Sequence, residues 1–258
     1  MRAPRLTRRD ALVGAAALVG CASPRGAGSP AAPPAPALPV PPPHSGVPMP
    51  TPLALAGAHT VAPLPFAAGS LRGLSERLIT SHHDNNYAGA VRNLNRVEVE
   101  LAGVNAGTPP LIVAALRSKE LAFRNSKSLH EAYFANLGGD GKRAGAIEAA
   151  LAAAYAGSPR WEEHMRLTAM GLGGGSGWAI LAYELDTGAL RTFSASSHGE
   201  SLGTSLPLLV LDMYEHSYQL DFGAGVQRYL DAFFANVRWD EVNRRLDRAT
   251  KMSALLRA

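Results

Sequence analysis

Leu206-Pro207-Leu208-Leu209-Val210-Leu211-Asp212-Met213-Tyr214-Glu215-His216-Ser217-Tyr218 passes from an apolar run into an aspartate and a histidine four residues apart. A short apolar run of this kind fits a buried strand, and its end then carries two side chains that favour a first-row transition metal. Alone, D-x-x-x-H is also the spacing of a surface pair or a helix cap. Its meaning depends on partners elsewhere in the chain.

Those partners come from a short inventory, because the 258 residues include eight histidines. His44 lies in a proline tract, His59 in a Gly/Ala/Thr stretch and His198 in the turn-like Ser-Ser-His-Gly, so these three are set aside as ligands. His164, in Trp161-Glu-Glu-His-Met, fits the polar face of a helix. The candidates that remain are His82 or His83, His130 and His216.

The local patterns place these residues on separate elements. Leu74 to Val104 has few breakers and apolar residues at helical separations, and Leu111 to Leu137 repeats the pattern between Pro109-Pro110 and Gly138-Gly139-Asp140-Gly141. Ala144 to Tyr155 and Trp161 to Met170 read as two further helices. Trp178 to Leu185, Leu190 to Ala195 and Leu206 to Leu211 read as strands, the first two joined by a hairpin, and Tyr229 to Leu246 as one closing helix. The order is helices, then a small antiparallel sheet with more helices, an α+β arrangement. His82 falls on the first long helix, His130 on the second, and Asp212 and His216 at the end of the last strand.

The first 20 residues have the basic start and short apolar run of an export signal. Thr7-Arg8-Arg9-Asp10-Ala11-Leu12 resembles the twin-arginine export motif, and Leu18-Val19-Gly20-Cys21 resembles the lipobox of bacterial lipoproteins. Cys21 is the only cysteine, which leaves it no internal disulfide partner and makes it the expected lipid attachment point. Residues 21–57, dense in Pro and Ala, read as a tether. The formal charge is +4; loss of residues 1–20 removes four of the 25 basic and one of the 21 acidic side chains, leaving +1. Such a balance argues against nucleic acid as a partner. The expected location is the bacterial cell envelope, facing the periplasm and held to a membrane through lipid on Cys21.

From Pro63 onward the chain resembles the iron/manganese superoxide dismutase family in a series of ordered blocks. Pro63-Leu64-Pro65-Phe66 is similar to the family's opening L-P-x-L-P-[YF], and Ser81-His82-His83 with Asn93-Leu94-Asn95 to H-H-x-x-H-H-x-x-Y-V-x-N-L-N. Leu129-His130-Glu131-Ala132-Tyr133-Phe134 resembles N-H-x-x-[YF]-[WF], and Gly175-Ser176-Gly177-Trp178 is G-S-G-W unchanged. Asp212 to Tyr218 resembles D-x-W-E-H-A-Y, and Tyr229 to Trp239 resembles Y-L-x-x-[FW]-[FW]-x-x-[VI]-N-W.

The resemblance implies a helical hairpin over 58–140 and an α/β domain over 141–258, with a three-stranded antiparallel sheet flanked by helices. It implies one iron or manganese ion per subunit, held by His82, His130, Asp212 and His216. The reaction implied is the conversion of superoxide to dioxygen and hydrogen peroxide. Glu215, which in the family bonds the ligand histidine of the opposite subunit, implies a homodimer.

Several residues that surround the metal in the family differ here. The family tyrosine falls at Ala90, the second histidine pair at Asn86 and Tyr87, the two alternative glutamine positions at Gly174 and Ser126, the tryptophan of D-x-W-E-H at Tyr214, and a trailing tyrosine at Gln219. Tyr87 is the expected catalytic substitute for the missing tyrosine, displaced by roughly 60° on a regular helix, and Tyr214 replaces the tryptophan beside the site. Outer-shell losses lower affinity or activity, so a metal-binding envelope protein with weak or no dismutase activity is the alternative. An iron oxygenase, which also uses two histidines and a carboxylate, is a third reading.

Overall fold

Ser75 opens the helical half by accepting a hydrogen bond from the Leu78 N–H at 3.0 Å, with Glu76 in the first turn complementing the helix dipole. In the computed structural model, which describes residues 53–258, α1 (Glu76–Ser81) runs into a π-helical turn at His82–Tyr87 and on into α2 (Ala88–Ala102). Leu78, Ile79, Val91, Leu94 and Leu101 form the buried stripe of this helical segment. α3 (Pro110–Ala135) starts on a proline at its first turn and packs along α2. The two helices expected here are present, but the first contains a widened turn at the candidate ligand. Such turns re-aim side chains and recur at functional sites.

A strap of residues 57–62 ties down the start of this half. The buried Glu98 of α2 accepts from the Gly57 N–H at 3.0 Å, lies 2.9 Å from His59 Nε2 and also receives Arg124 of α3 at 2.6 Å. Asn95 bonds both backbone groups of His59 at 2.9 Å.

Gly138 to Gly141 lead into the second half, where α4 (Ala146–Tyr155) and α5 (Ser158–Met170) precede the sheet. β1 (Trp178–Glu184) is the central strand, flanked by β2 (Leu190–Ala195) and β3 (Ser205–Asp212), all antiparallel. Trp178 to Tyr183 are all buried, as expected of a strand covered on both faces. The register puts Trp178 opposite both Ala195 and Asp212, which brings the G-S-G-W end of β1 to the candidate aspartate. A bulge between Leu181 and Ala182 lies where β3 contains Pro207, which has no N–H to give the ladder.

After a short α6 (Gln219–Phe222), the single closing helix expected from the sequence is two helices, α7 (Val226–Ala235) and α8 (Trp239–Leu256). Asn236 causes the break. Its side-chain amide accepts from the Arg72 N–H at 2.9 Å and donates to the Arg72 and Ala232 carbonyls at 2.7 and 2.8 Å. At the end of α3 the buried Asn136 does the equivalent for the sheet, donating to the Leu208 carbonyl and accepting from the Val210 N–H, both at 3.1 Å. It thereby fixes the helix that carries His130 against the strand that carries Asp212.

Candidate metal centre

The four candidate ligands converge. One donor atom from each of His82, His130, Asp212 and His216 lies within 4.8 Å of the others. The three Nε2 atoms surround Asp212 Oδ2 at 3.1 Å for His82, 3.3 Å for His216 and 3.5 Å for His130. His82, His130 and Asp212 are buried, and His216 is about a quarter exposed. His83, the other member of the first pair, instead approaches Asp84 and the Ala62 carbonyl, at 2.7 and 2.9 Å.

The protonation states suit a cation. His130 Nδ1 donates to the Ser126 carbonyl at 2.7 Å, which leaves Nε2 as the lone-pair donor, and that atom is buried without a protein hydrogen-bond partner. Burial and the neighbouring His82 push the His130 imidazole down to about 3. Burial also lowers His82, although the Asp212 carboxylate pulls the other way. Burial opposes ionisation of Asp212, yet hydrogen bonds from His216 and His82 hold it well below the usual carboxylate range. Three imidazoles, two of them held neutral by burial, and one carboxylate around a buried, unpartnered nitrogen form a donor set that fits a first-row transition metal.

Asp212 is fixed from outside the ligand set. Its Oδ1 accepts the Tyr214 N–H at 2.9 Å, and its carbonyl accepts from Tyr229 Oη at 2.7 Å and Ser217 Oγ at 2.8 Å. The walls are aromatic: the His82 ring lies 5.1 Å from Tyr133 and 5.0 Å from Phe134, and His130 meets Trp178 edge-on at 5.1 Å. Gly177, at φ 145°, allows this approach. A Cβ there would lie 2.5 Å from the Ala195 carbonyl oxygen, which accounts for the glycine before Trp178.

Tyr87 lies beside His130, with ring centroids 6.2 Å apart. Its hydroxyl accepts the Ala62 N–H and donates to Glu131, both at 2.8 Å, and burial pushes the phenol up to about 12. The phenol proton is therefore committed to a carboxylate, and one acceptor lone pair remains. The angular offset expected from a regular helix does not apply, because Tyr87 ends the π-helical turn. Tyr214 stacks between His198 at 4.5 Å and His216 at 5.4 Å, while Glu215 is exposed. Cys21, Arg8 and Arg9 lie outside the described residues.

His198, set aside as a ligand, is absent from the ligand cluster yet forms part of the site's wall. Its ring is 6.2 Å from that of His130, and its Nδ1 accepts the Trp178 indole N–H at 3.0 Å. Its ring proton therefore sits on Nε2 when neutral, the state that burial favours. The nearest sequence signal was the turn Ser-Ser-His-Gly, which has no periodicity linking it to a ligand. At Gly174, one of the two expected glutamine positions, the N–H bonds Tyr218 Oη at 3.1 Å in a cavity shared with Glu215 and Gln219.

Residues 143–245 match the family described as iron/manganese superoxide dismutases, C-terminal domain. The chain is 40% identical over 200 residues to a "Superoxide dismutase [Fe]" of Cupriavidus metallidurans, covering 77% of this chain and 98% of the relative. It is 30% identical to "Superoxide dismutase [Mn] 1" of Halobacterium salinarum over 75% of this chain and 97% of that protein. A "Superoxide dismutase [Fe]" of Aquifex pyrophilus is 31% identical over 70% and 88% of the respective chains. With its four ligand positions gathered at one buried point and these relatives spanning most of its length, the chain belongs to the iron/manganese superoxide dismutase family.

Proposed function

We propose that the protein removes superoxide in the cell envelope, as a homodimer tethered through lipid on Cys21, with His198 and Tyr87 serving the site in place of the family's differing residues. The observation that carries the dismutase reading is the placement of three imidazole nitrogens from separate elements around one buried carboxylate oxygen. Iron or manganese held there supplies the one-electron chemistry by which one superoxide is oxidised to dioxygen and a second, with two protons, is reduced to hydrogen peroxide.

The chain's own residues define the conditions for that chemistry. Asp212 contributes a negative charge, while His82 and His130 stay neutral because their burial disfavours the imidazolium. Tyr133, Phe134 and Trp178 exclude bulk water, which strengthens electrostatic interactions inside the site. His198 offers an Nε2 proton on the wall next to His130, suited to a hydrogen bond with solvent in the centre. Tyr87 closes the adjacent wall through its bonds to Ala62 and Glu131.

Residues 58–140 and 141–258 act as two halves that each contribute two ligands. Exposed Glu215, adjacent to His216, supports a two-fold arrangement in which each acid meets the other subunit's histidine. Export follows the Arg8-Arg9 signal, and residues 21–57 link Cys21 to the catalytic unit. Among the described residues no helix is long and apolar enough to cross a membrane; in this reading the attachment is the lipid on Cys21.

The test is metal analysis of purified mature protein together with a superoxide-decay assay. Stoichiometric iron or manganese with decay far faster than free metal supports dismutation. Stoichiometric metal with no such rate favours the metal-holding alternative, to which Ser126 and Gly174 at the glutamine positions lend weight. Cys21→Ala is expected to move the protein from the membrane to the soluble fraction.

A further inference from the structure

His198 lies on an irregular loop after β2, and two side chains hold that loop. Glu200 Oε1 accepts the N–H groups of Ser196 at 3.0 Å and Ser197 at 3.1 Å, together with both serine hydroxyls. From α3, Asn125 Nδ2 donates to the carbonyls of His198 at 2.8 Å and Glu200 at 3.1 Å. Glu200 closes the loop on itself, whereas Asn125 attaches it to the helix that carries His130 five residues later.

We propose that Asn125 and Glu200 are positioning residues that clamp the His198 loop to α3 and so set where the His198 ring stands relative to the metal centre; this rests on the dismutase reading and on His198 serving the site. A loop of this composition has little apolar surface to order it, since Ser196, Ser197, Gly199, Glu200 and Ser201 are all exposed. Its geometry is imposed by the carboxylate, the asparagine and the Trp178 indole. Because Asn125 and His130 share one helix, a displacement of α3 moves the ligand and the loop anchor together. The distance between His198 and His130 is then insensitive to small movements of the rest of the fold. Loss of the clamp frees the ring from its stack on Tyr214 and from the Trp178 indole, and the hydrogen bond it offers to the centre is lost for part of the time.

The experiment uses iron-loaded full-length protein and four single variants, Asn125→Ala, Asn125→Asp, Glu200→Gln and His198→Ala, plus the Asn125→Ala/His198→Ala double. Superoxide turnover, iron content and the midpoint potential of the iron are measured on each. The aspartate variant keeps the shape of Asn125 and removes the donor. The expected result is retained iron, turnover lowered about tenfold in both Asn125 variants, at the low end of what loss of a partner around a metal centre costs, and a potential displaced in the same direction as in His198→Ala. The double variant is expected to be no worse than His198→Ala, since the clamp acts through that ring. Glu200 is exposed, so Glu200→Gln retains the fold and gives a smaller shift of the same sign.

Wild-type potential and turnover in both Asn125 variants, with His198→Ala affected, overturn the clamp. Full additivity in the double variant also overturns it. A His198→Ala variant identical to wild type overturns both the clamp and the role of His198. Absence of turnover in the wild type defeats the dismutase reading, and the midpoint potentials still decide the clamp.

Discussion

Replacing Asn136 by alanine removes the link between the helix bearing His130 and the strand bearing Asp212. The Asn136 side chain makes bonds of 3.1 Å to both Leu208 and Val210, and Arg245 Nη1 reaches its Oδ1 at 3.2 Å. The Leu208 carbonyl keeps Arg245 as a second donor at 3.2 Å, but the Val210 N–H has no replacement and becomes a buried orphan. An unsatisfied buried donor costs about 1–3 kcal/mol and each other bond about 1 kcal/mol, so the loss is roughly 2–4 kcal/mol. For a unit of this size that lowers Tm by about 5–15 °C. Asn136→Asp keeps the acceptor for Val210 beside the Arg245 guanidinium and is expected to fall between the two. Thermal unfolding followed by circular dichroism measures both, and metal content should fall with the alanine variant because two ligands lose their common anchor. An alanine variant that melts within about 1 °C of the parent and holds its metal would refute this account of how helix and strand are joined.

Further outcomes follow from individual contacts. Tyr87→Phe removes the hydroxyl bonded to Ala62 and Glu131 and should lower turnover without changing metal content; unchanged turnover dismisses a catalytic part for Tyr87. Asp212→Asn should lower metal retention by at least about tenfold, measured by elemental analysis after dialysis. Although burial opposes it, bonding to His59 and Gly57 holds Glu98 below its ordinary range. Its contribution to stability is therefore complete above the unfolded value of about 4.3 and vanishes as pH falls through the lower folded value. Glu98→Gln should accordingly be about 1–2 kcal/mol less stable at pH 7, with the gap closing under acid, as read by denaturant melts. Glu215→Ala should shift the sedimentation profile toward monomer; an unchanged profile argues against an inter-subunit role.

The ligand set was legible because coordination restricts residue type, and four side chains of the right type occurred in ordered blocks. Gly177 was marked in the sequence by its place in G-S-G-W alone; the steric reason, a Cβ that would meet the Ala195 carbonyl, comes from the folded arrangement of β1 and β2. The strands could be read from their apolar runs, and the central one is buried throughout. What escaped the sequence depends on contacts between distant segments. The break between α7 and α8 is made by Asn236 bonding Arg72, 164 residues away. The widened turn at His82–Tyr87 has no local composition that separates it from α-helix. His198 was hidden for the same reason: its loop is shaped by Asn125, more than 70 residues earlier in the chain, and only that geometry brings the ring to His130.

The most direct measurement is anomalous diffraction at the iron and manganese edges from crystals of the metal-loaded protein. The account predicts one ion, with His82 Nε2, His130 Nε2, His216 Nε2 and Asp212 Oδ2 each about 2–2.2 Å from it, the ordinary range for such ligands. An ion bound elsewhere, or one that leaves any of these four atoms outside its coordination sphere, would contradict it.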